Sequence, residues 1–178
     1  LIKNEENTEN LNACTPYINY KNLPLIGYGK LCSENKVSSN DDLNEQCKDL
    51  IDTCTQDNAI NWLYRDIDKA INCIQECTLC KKAYNTCSIE RQSILISLAH
   101  SMGCEDFKNL EIFNDIINKN WENIDLKSLN SNWSEKNYNR AIKHLYVLRK
   151  NDCCNEICKS YQWGNNDNNS LCINDIIN

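Results

Sequence analysis

Cys73-Ile74-Gln75-Glu76-Cys77-Thr78-Leu79-Cys80-Lys81-Lys82-Ala83-Tyr84-Asn85-Thr86-Cys87 decides how this chain is read. Within it, Cys73, Cys77, Cys80, Tyr84 and Cys87 recur at intervals of four, three, four and three residues. An α-helix turns about 100° per residue, so these five side chains share one stripe. A helix that carries cysteine where core helices carry leucine is expected to be tied covalently to its neighbours. The chain holds 13 cysteines in 178 residues: Cys14, Cys32, Cys47, Cys54, Cys73, Cys77, Cys80, Cys87, Cys104, Cys153, Cys154, Cys158 and Cys172. All are disulfide candidates, and an odd total leaves at least one thiol free or paired between chains.

Moving outward, Gly and Pro concentrate in Cys14–Asn40, which reads as an irregular covering segment pinned by Cys14 and Cys32. Beyond it, helical signals dominate. Asn40 is the expected cap of a helix running to about Cys54, with Leu43, Cys47, Leu50, Ile51 and Cys54 inward. Asp57 or Asn58 opens the next, which places Ile60, Leu63, Tyr64 and Ile67 inward and leads into the cysteine stripe. A single straight helix to Cys87 is long for a small domain, so a break is expected within it. Ser88 starts another helix that ends at Met102 with Gly103 as its C′ residue. Phe107, Leu110, Phe113, Ile116 and Ile117 predict one amphipathic helix. Ser134 caps a helix to about Lys150 with Tyr138, Ala141, Ile142, Leu145, Tyr146 and Leu148 inward, and Asp152–Trp163 reads as a short Cys-rich helix. No segment alternates with period two, so the fold class is all-α, a disulfide-rich helical bundle.

An internal repeat runs through this pattern. Ala59-Ile60-x-x-Leu63-Tyr64 precedes Cys73-x3-Cys77, and Ala141-Ile142-x-x-Leu145-Tyr146 precedes Cys154-x3-Cys158. Each copy continues with Cys-Lys, Tyr and a further Cys. The organisation that follows is a covering segment 1–40, a first helical subdomain 41–104, a connecting helix 105–119 and a second, related subdomain 120–178.

Six disulfides and one leftover thiol are expected, with the stripes Cys47/Cys54 and Cys73/Cys77/Cys80/Cys87 linked to other segments. Residues seven apart on a helix are separated by about 10.5 Å, too far for a bridge, which excludes Cys47–Cys54 and Cys80–Cys87 while they are helical. Cys77-x2-Cys80 has the spacing of a zinc arm or a dithiol redox site, yet mid-helix placement favours structural bridging. His100 and His144 have no patterned Asp, Ser or Cys near them in sequence and read as ordinary helix residues. No GxSxG, HExxH, phosphate loop or EF-hand pattern is present. No catalytic, cofactor-binding or metal-binding residue is therefore assigned, no cofactor is expected, and the chain reads as a non-enzyme.

The cysteine content points to an oxidising compartment. Because the first residue is Leu1, the chain reads as a mature secreted product whose signal peptide has been removed. No stretch approaches the roughly 20 apolar residues of a membrane span. A net charge of −6, with acids and bases mixed, argues against a nucleic-acid partner. Asn132-Trp133-Ser134 and Asn168-Asn169-Ser170 fit the glycosylation acceptor pattern.

The two Cys-Tyr-Cys runs, Cys80/Tyr84/Cys87 and Cys158/Tyr161/Cys172, resemble the BICYCLE proteins, secreted salivary proteins of aphids named for such a pair of motifs. The second run departs from the pattern in the stretch between Tyr161 and Cys172. The resemblance implies a non-enzymatic effector delivered into plant tissue, with influence on gall development in a gall former. Its partner would be an unknown host macromolecule, a protein in the first instance. The alternative reading is a Cys-rich surface or secreted adhesin of an AT-rich parasite such as a malaria organism.

Overall fold

Ser88 shows how directly some elements follow from local chemistry: its hydroxyl accepts a hydrogen bond from the Arg91 amide, and the helix it caps closes at Gly103, whose φ of 85° suits glycine. The computed structural model describes residues 14–150. The polar start 1–13, the second motif Cys158/Tyr161/Cys172, the Asp152–Trp163 helix, Cys153, Cys154 and the acceptor at Asn168 lie outside the described residues.

Among the described residues there are eight α-helices: α1 Asn40–Ile51, α2 Gln56–Glu76, α3 Thr78–Thr86, α4 Ile89–Met102, α5 Cys104–Lys108, α6 Ile112–Ile117, α7 Ser131–Lys136 and α8 Tyr138–Lys150. The fold is disulfide-rich and mainly helical. The covering segment holds a small antiparallel sheet in place of irregular chain: β1 Tyr17–Ile18, β2 Pro24–Ile26 and β3 Lys30–Leu31, in the order β1-β2-β3. Tyr17 pairs with Leu25, and Leu25 with Leu31. Strands of two and three residues are too short to show alternation, which needs about four residues to register.

Contacts divide the chain into two compact units, Leu1–Lys69 and Ala70–Asn178, with the division falling inside α2. In the first unit, β2 packs on α1, and Leu25, Ile26, Tyr28, Leu43, Cys47, Ala59 and Leu63 are buried. The cap of α1 is Ser39 rather than Asn40, its hydroxyl accepting from the Asp42 amide at 3.2 Å. Cys14–Cys54 ties the segment before the sheet to the connection after α1, and Cys32–Cys47 ties the residue after β3 to the middle of α1.

In the second unit, α3 packs on α6, and α4 packs on α5 and α8. Phe107, Phe113, Leu95, Leu98, Ile116, Trp133 and Leu148 are fully buried there, Phe107 and Phe113 meeting edge-on with centroids 5.2 Å apart. The expected helix over Phe107–Ile117 is interrupted at Asn109–Glu111, giving α5 and α6, and the helix expected from Ser134 is split at Asn137. Tyr64 and Tyr138, both expected inward, are 62% and 47% exposed. Each stands at the margin of its apolar stripe, where a tyrosine can lay its ring on the surface and keep its hydroxyl in water.

The break in the long cysteine helix falls at Cys77, which separates α2 from α3. As a result the stripe is not one surface. Cys73 bonds Cys104, Cys77 bonds Cys80, and Cys87 is a buried free thiol. The bridges spanning 40, 15 and 31 residues each restrict the unfolded chain by about 3–4 kcal/mol on the loop-entropy scale. Cys77–Cys80, spanning 3, contributes under about 2 kcal/mol on the same scale.

Candidate functional site

The sheet of the first unit is held by a set of local interactions. Its β1–β2 turn is organised by Asn19, whose Oδ1 accepts from the amides of Lys21 and Leu23, each at 2.9 Å. Asn22 completes the turn in the left-handed region, φ 62°. An asparagine that accepts two backbone hydrogen bonds mimics a backbone turn, which is why this residue type sits there.

After β2 the chain reads Gly27-Tyr28-Gly29, with φ of 68° at Gly27 and 95° at Gly29. At Gly27 an added Cβ would lie 3.3 Å from the Ala59 Cβ, so the glycine lets the strand approach α2 closely. Tyr28 is buried, and its hydroxyl accepts from Gln56 Nε2 at 3.3 Å. Lys30 then reaches Asp66 at 4.0 Å, and Lys69 pairs with the same carboxylate at 2.6 Å. Ile18 and Leu31, on the outer strands, are 43% and 38% exposed. The stretch from Cys14 to Ser33 contains no Asp or Glu.

Among the described residues, the carboxyl groups elsewhere in this unit are committed to structure or open to water. Asp42 accepts from Gln46 Nε2 at 2.7 Å and from the Ser38 amide and hydroxyl at 2.7 and 2.9 Å, which together hold its pKa below the ordinary value. Asp66 carries the ion pair just described. Glu34 is exposed.

The second unit holds a polar cleft of about 270 Å³ lined by Asp106, Asn109, Glu111, Lys127, Ser128 and Asn130 beside Leu110. Much of this lining is used internally: Ser128 and Asp125 exchange hydrogen bonds, and Asn130 Oδ1 accepts from the Trp133 amide as the cap of α7. The Asp125 carboxyl is lowered chiefly by the Ser128 amide, and Glu90 by hydrogen bonds from its own amide and from Ser88.

Folding also joins groups that the sequence keeps apart. Ser97 on α4 and His144 on α8 meet at 3.3 Å, and Arg140 Nη2 donates to the Ser97 Oγ at 3.0 Å. His144 stacks on Trp133, whose indole N–H donates to Ser101 Oγ at 2.9 Å. A Ser–His contact has the elements of a nucleophile and its base, but both residues are 0% exposed, so no substrate reaches them. This is a core network that specifies how α4 meets α8. Their 47-residue separation leaves no sequence signal beyond each being on its helix's inner face. Arg91 plays a comparable part: Nε and Nη2 donate to the carbonyls of Leu148 and Arg149 at the end of α8, and its guanidinium lies 3.4 Å over the Trp121 ring.

Among the described residues no group of three or more His, Cys, Asp or Glu is arranged to hold a metal. No described helix is long and apolar enough to cross a membrane. Of the disulfide candidates, eight are paired as given above and Cys87 is free.

The phage lysozyme family model matches residues 7–152. No curated protein matches the chain. The family match overturns the BICYCLE resemblance and, with it, the non-enzymatic plant effector, the parasite adhesin and the host-protein partner, because the matched family is one of peptidoglycan-degrading glycoside hydrolases. The physical reason the resemblance misled is visible in the first motif. Cys80, Tyr84 and Cys87 follow the i, i+4, i+7 spacing of any amphipathic helix, and they do not act as a unit: Cys80 is bonded to Cys77, Tyr84 is half-buried, and Cys87 is unbonded.

Proposed function

The chain belongs to the phage lysozyme family, and we propose from that membership that it hydrolyses the glycan strands of peptidoglycan as a secreted enzyme. The observation that carries this reading is the extent of the match, residues 7–152, which takes in the three-stranded sheet and every described helix. Disulfide-stapled structure supports work outside a reducing cytosol.

Cleavage of a glycosidic bond by the usual route asks for two carboxyl groups. One protonates the departing oxygen, and the other, on the opposite face of the sugar, activates water or takes the glycosyl group itself. The proton donor must still hold its proton near neutral pH, so a carboxyl whose pKa is lowered is unsuited. That removes Asp42, Glu90 and Asp125. Asp66 is committed to Lys69 and Lys30. The sheet brings no carboxyl of its own, and the acids nearest to it in sequence are Glu9 and Glu34, the latter exposed. We take Glu9, the nearest acid before the sheet and within the matched span, as the proton donor to be tested.

Incubation with purified cell-wall sacculi tests the proposal. The turbidity of the suspension is expected to fall with time in proportion to added protein. Sacculi that stay turbid, from walls with either thick or thin peptidoglycan, would contradict it.

A further inference from the structure

Cys77–Cys80 differs from the other described bridges in what it joins. Cys14–Cys54, Cys32–Cys47 and Cys73–Cys104 close loops of 40, 15 and 31 residues, whereas Cys77 and Cys80 are 3 apart. The constraint a bridge places on the unfolded chain grows with loop length, so this bond holds the fold least. Helix α3 is retained without it, since Cys80 and Ala83 are 0% exposed and α3 packs on α6 and α4.

The mid-helix placement expected from sequence is replaced by a helix start. Cys77 is the N-cap of the nine-residue α3, with φ −86° and ψ 112°, and its Sγ accepts from the Cys80 amide at 3.2 Å. The two sulfurs are unequal: Cys77 is half-buried and Cys80 is fully buried. Leu79, between them, is 41% exposed. An amide aimed at the first sulfur, at the positive end of a helix, favours its thiolate over its thiol.

We propose that Cys77–Cys80 is a redox-active site that undergoes thiol–disulfide exchange with external dithiols. A dithiol's thiolate attacks Cys77 Sγ, the sulfur open to approach. The Cys77–Cys80 bond breaks, a mixed disulfide forms on Cys77, and Cys80 leaves as a thiolate that takes up a proton. The second thiol of the reagent loses its proton and attacks its own sulfur in the mixed disulfide. That closes the reagent's disulfide and releases Cys77 as the thiolate held by the Cys80 amide. Two electrons pass from the dithiol to the bridge. This site is independent of the glycan reaction proposed above. Cys87, at the other end of α3, is the internal contrast: burial pushes its thiol up to about 11, against a smaller opposing effect of Arg91, so it stays protonated and inert.

The test uses the unaltered protein, equilibrated under native conditions in graded mixtures of reduced and oxidised dithiothreitol, trapped with iodoacetamide and mapped by peptide mass spectrometry. Cys77–Cys80 is expected to open at a reduced-to-oxidised ratio at least about tenfold lower than the other three bridges require, because the Cys80 amide at the helix start stabilises the Cys77 thiolate of the reduced form. In the reduced pair, Cys77 is expected to be alkylated before Cys80, with a pH midpoint below the roughly 8.5 of an ordinary thiol. Opening together with the other bridges, or after them, would overturn the proposal. So would a Cys77 midpoint at or above that ordinary value.

Discussion

Glu9→Gln is expected to lower the rate of glycan cleavage by roughly 100- to 10,000-fold, the usual range for removal of a positioned proton donor. In free energy this is about 3–5 kcal/mol of barrier. The amide keeps the size and hydrogen-bonding shape of the side chain but has no proton of suitable acidity to give to the leaving oxygen. Substrate capture should be retained, so the variant should still sediment with sacculi. Asp66→Asn provides the comparison. Its carboxylate is tied to Lys69 at 2.6 Å and to Lys30 at 4.0 Å, so its loss should act on the stability of the sheet unit before it acts on chemistry. Rates are read from the initial fall in turbidity. A Glu9→Gln variant within a few-fold of the unaltered protein would remove Glu9 from the mechanism.

Trp133→Ala carries the second large effect. The indole is 0% exposed, its N–H donates to Ser101 Oγ at 2.9 Å, and its ring lies on His144 with centroids 5.8 Å apart. Truncating a buried aromatic to alanine costs about 3–5 kcal/mol, through lost transfer free energy and the cavity left behind. Native domains have only about 5–15 kcal/mol of stability, so much of the second unit's margin would go. Urea unfolding followed by far-UV circular dichroism measures it. Trp133→Phe, which keeps a ring but loses the Ser101 hydrogen bond, should recover most of the loss. A cost for Trp133→Ala below about 2 kcal/mol would mean that the Trp133–His144–Ser97 network does not anchor α8 to α4.

The fold was legible where a local interaction decides it. Ser88 and Gly103 bracket α4 because a hydroxyl cap and a left-handed glycine act within one turn of the chain. The long helix was legible as needing a break, but its position was not. Cys77 continues the stripe in register, and it is the cap through its extended backbone and the hydrogen bond its sulfur accepts from the Cys80 amide, neither of which the spacing reveals. The sheet was hidden for a different reason: its strands are two or three residues long and are held by two disulfides and by packing on α1, all of them non-local. His144 reads from sequence as an ordinary helix residue and its contact with Ser97 is invisible there, because periodicity says which face is inward and not which faces meet.

Membership of the phage lysozyme family was not legible from motifs, and the reason lies in the chemistry of that family. A glycosidase needs two carboxyl groups placed across a sugar, with no fixed short spacing between them in sequence. In a chain with 25 acidic residues, such a pair does not stand out. The cysteines drew attention instead, because they are patterned; their pattern reports helical periodicity and stapling, and the Cys77–Cys80 pair is the part of it with chemistry of its own.

Product analysis tests the central claim most directly. Sacculi digested with the unaltered protein are separated and examined by mass spectrometry, with new reducing ends counted against new free amines. Release of soluble muropeptides bearing new reducing sugar ends, without new amino groups, is the predicted result. Sacculi recovered with intact glycan strands and no new reducing ends would contradict it.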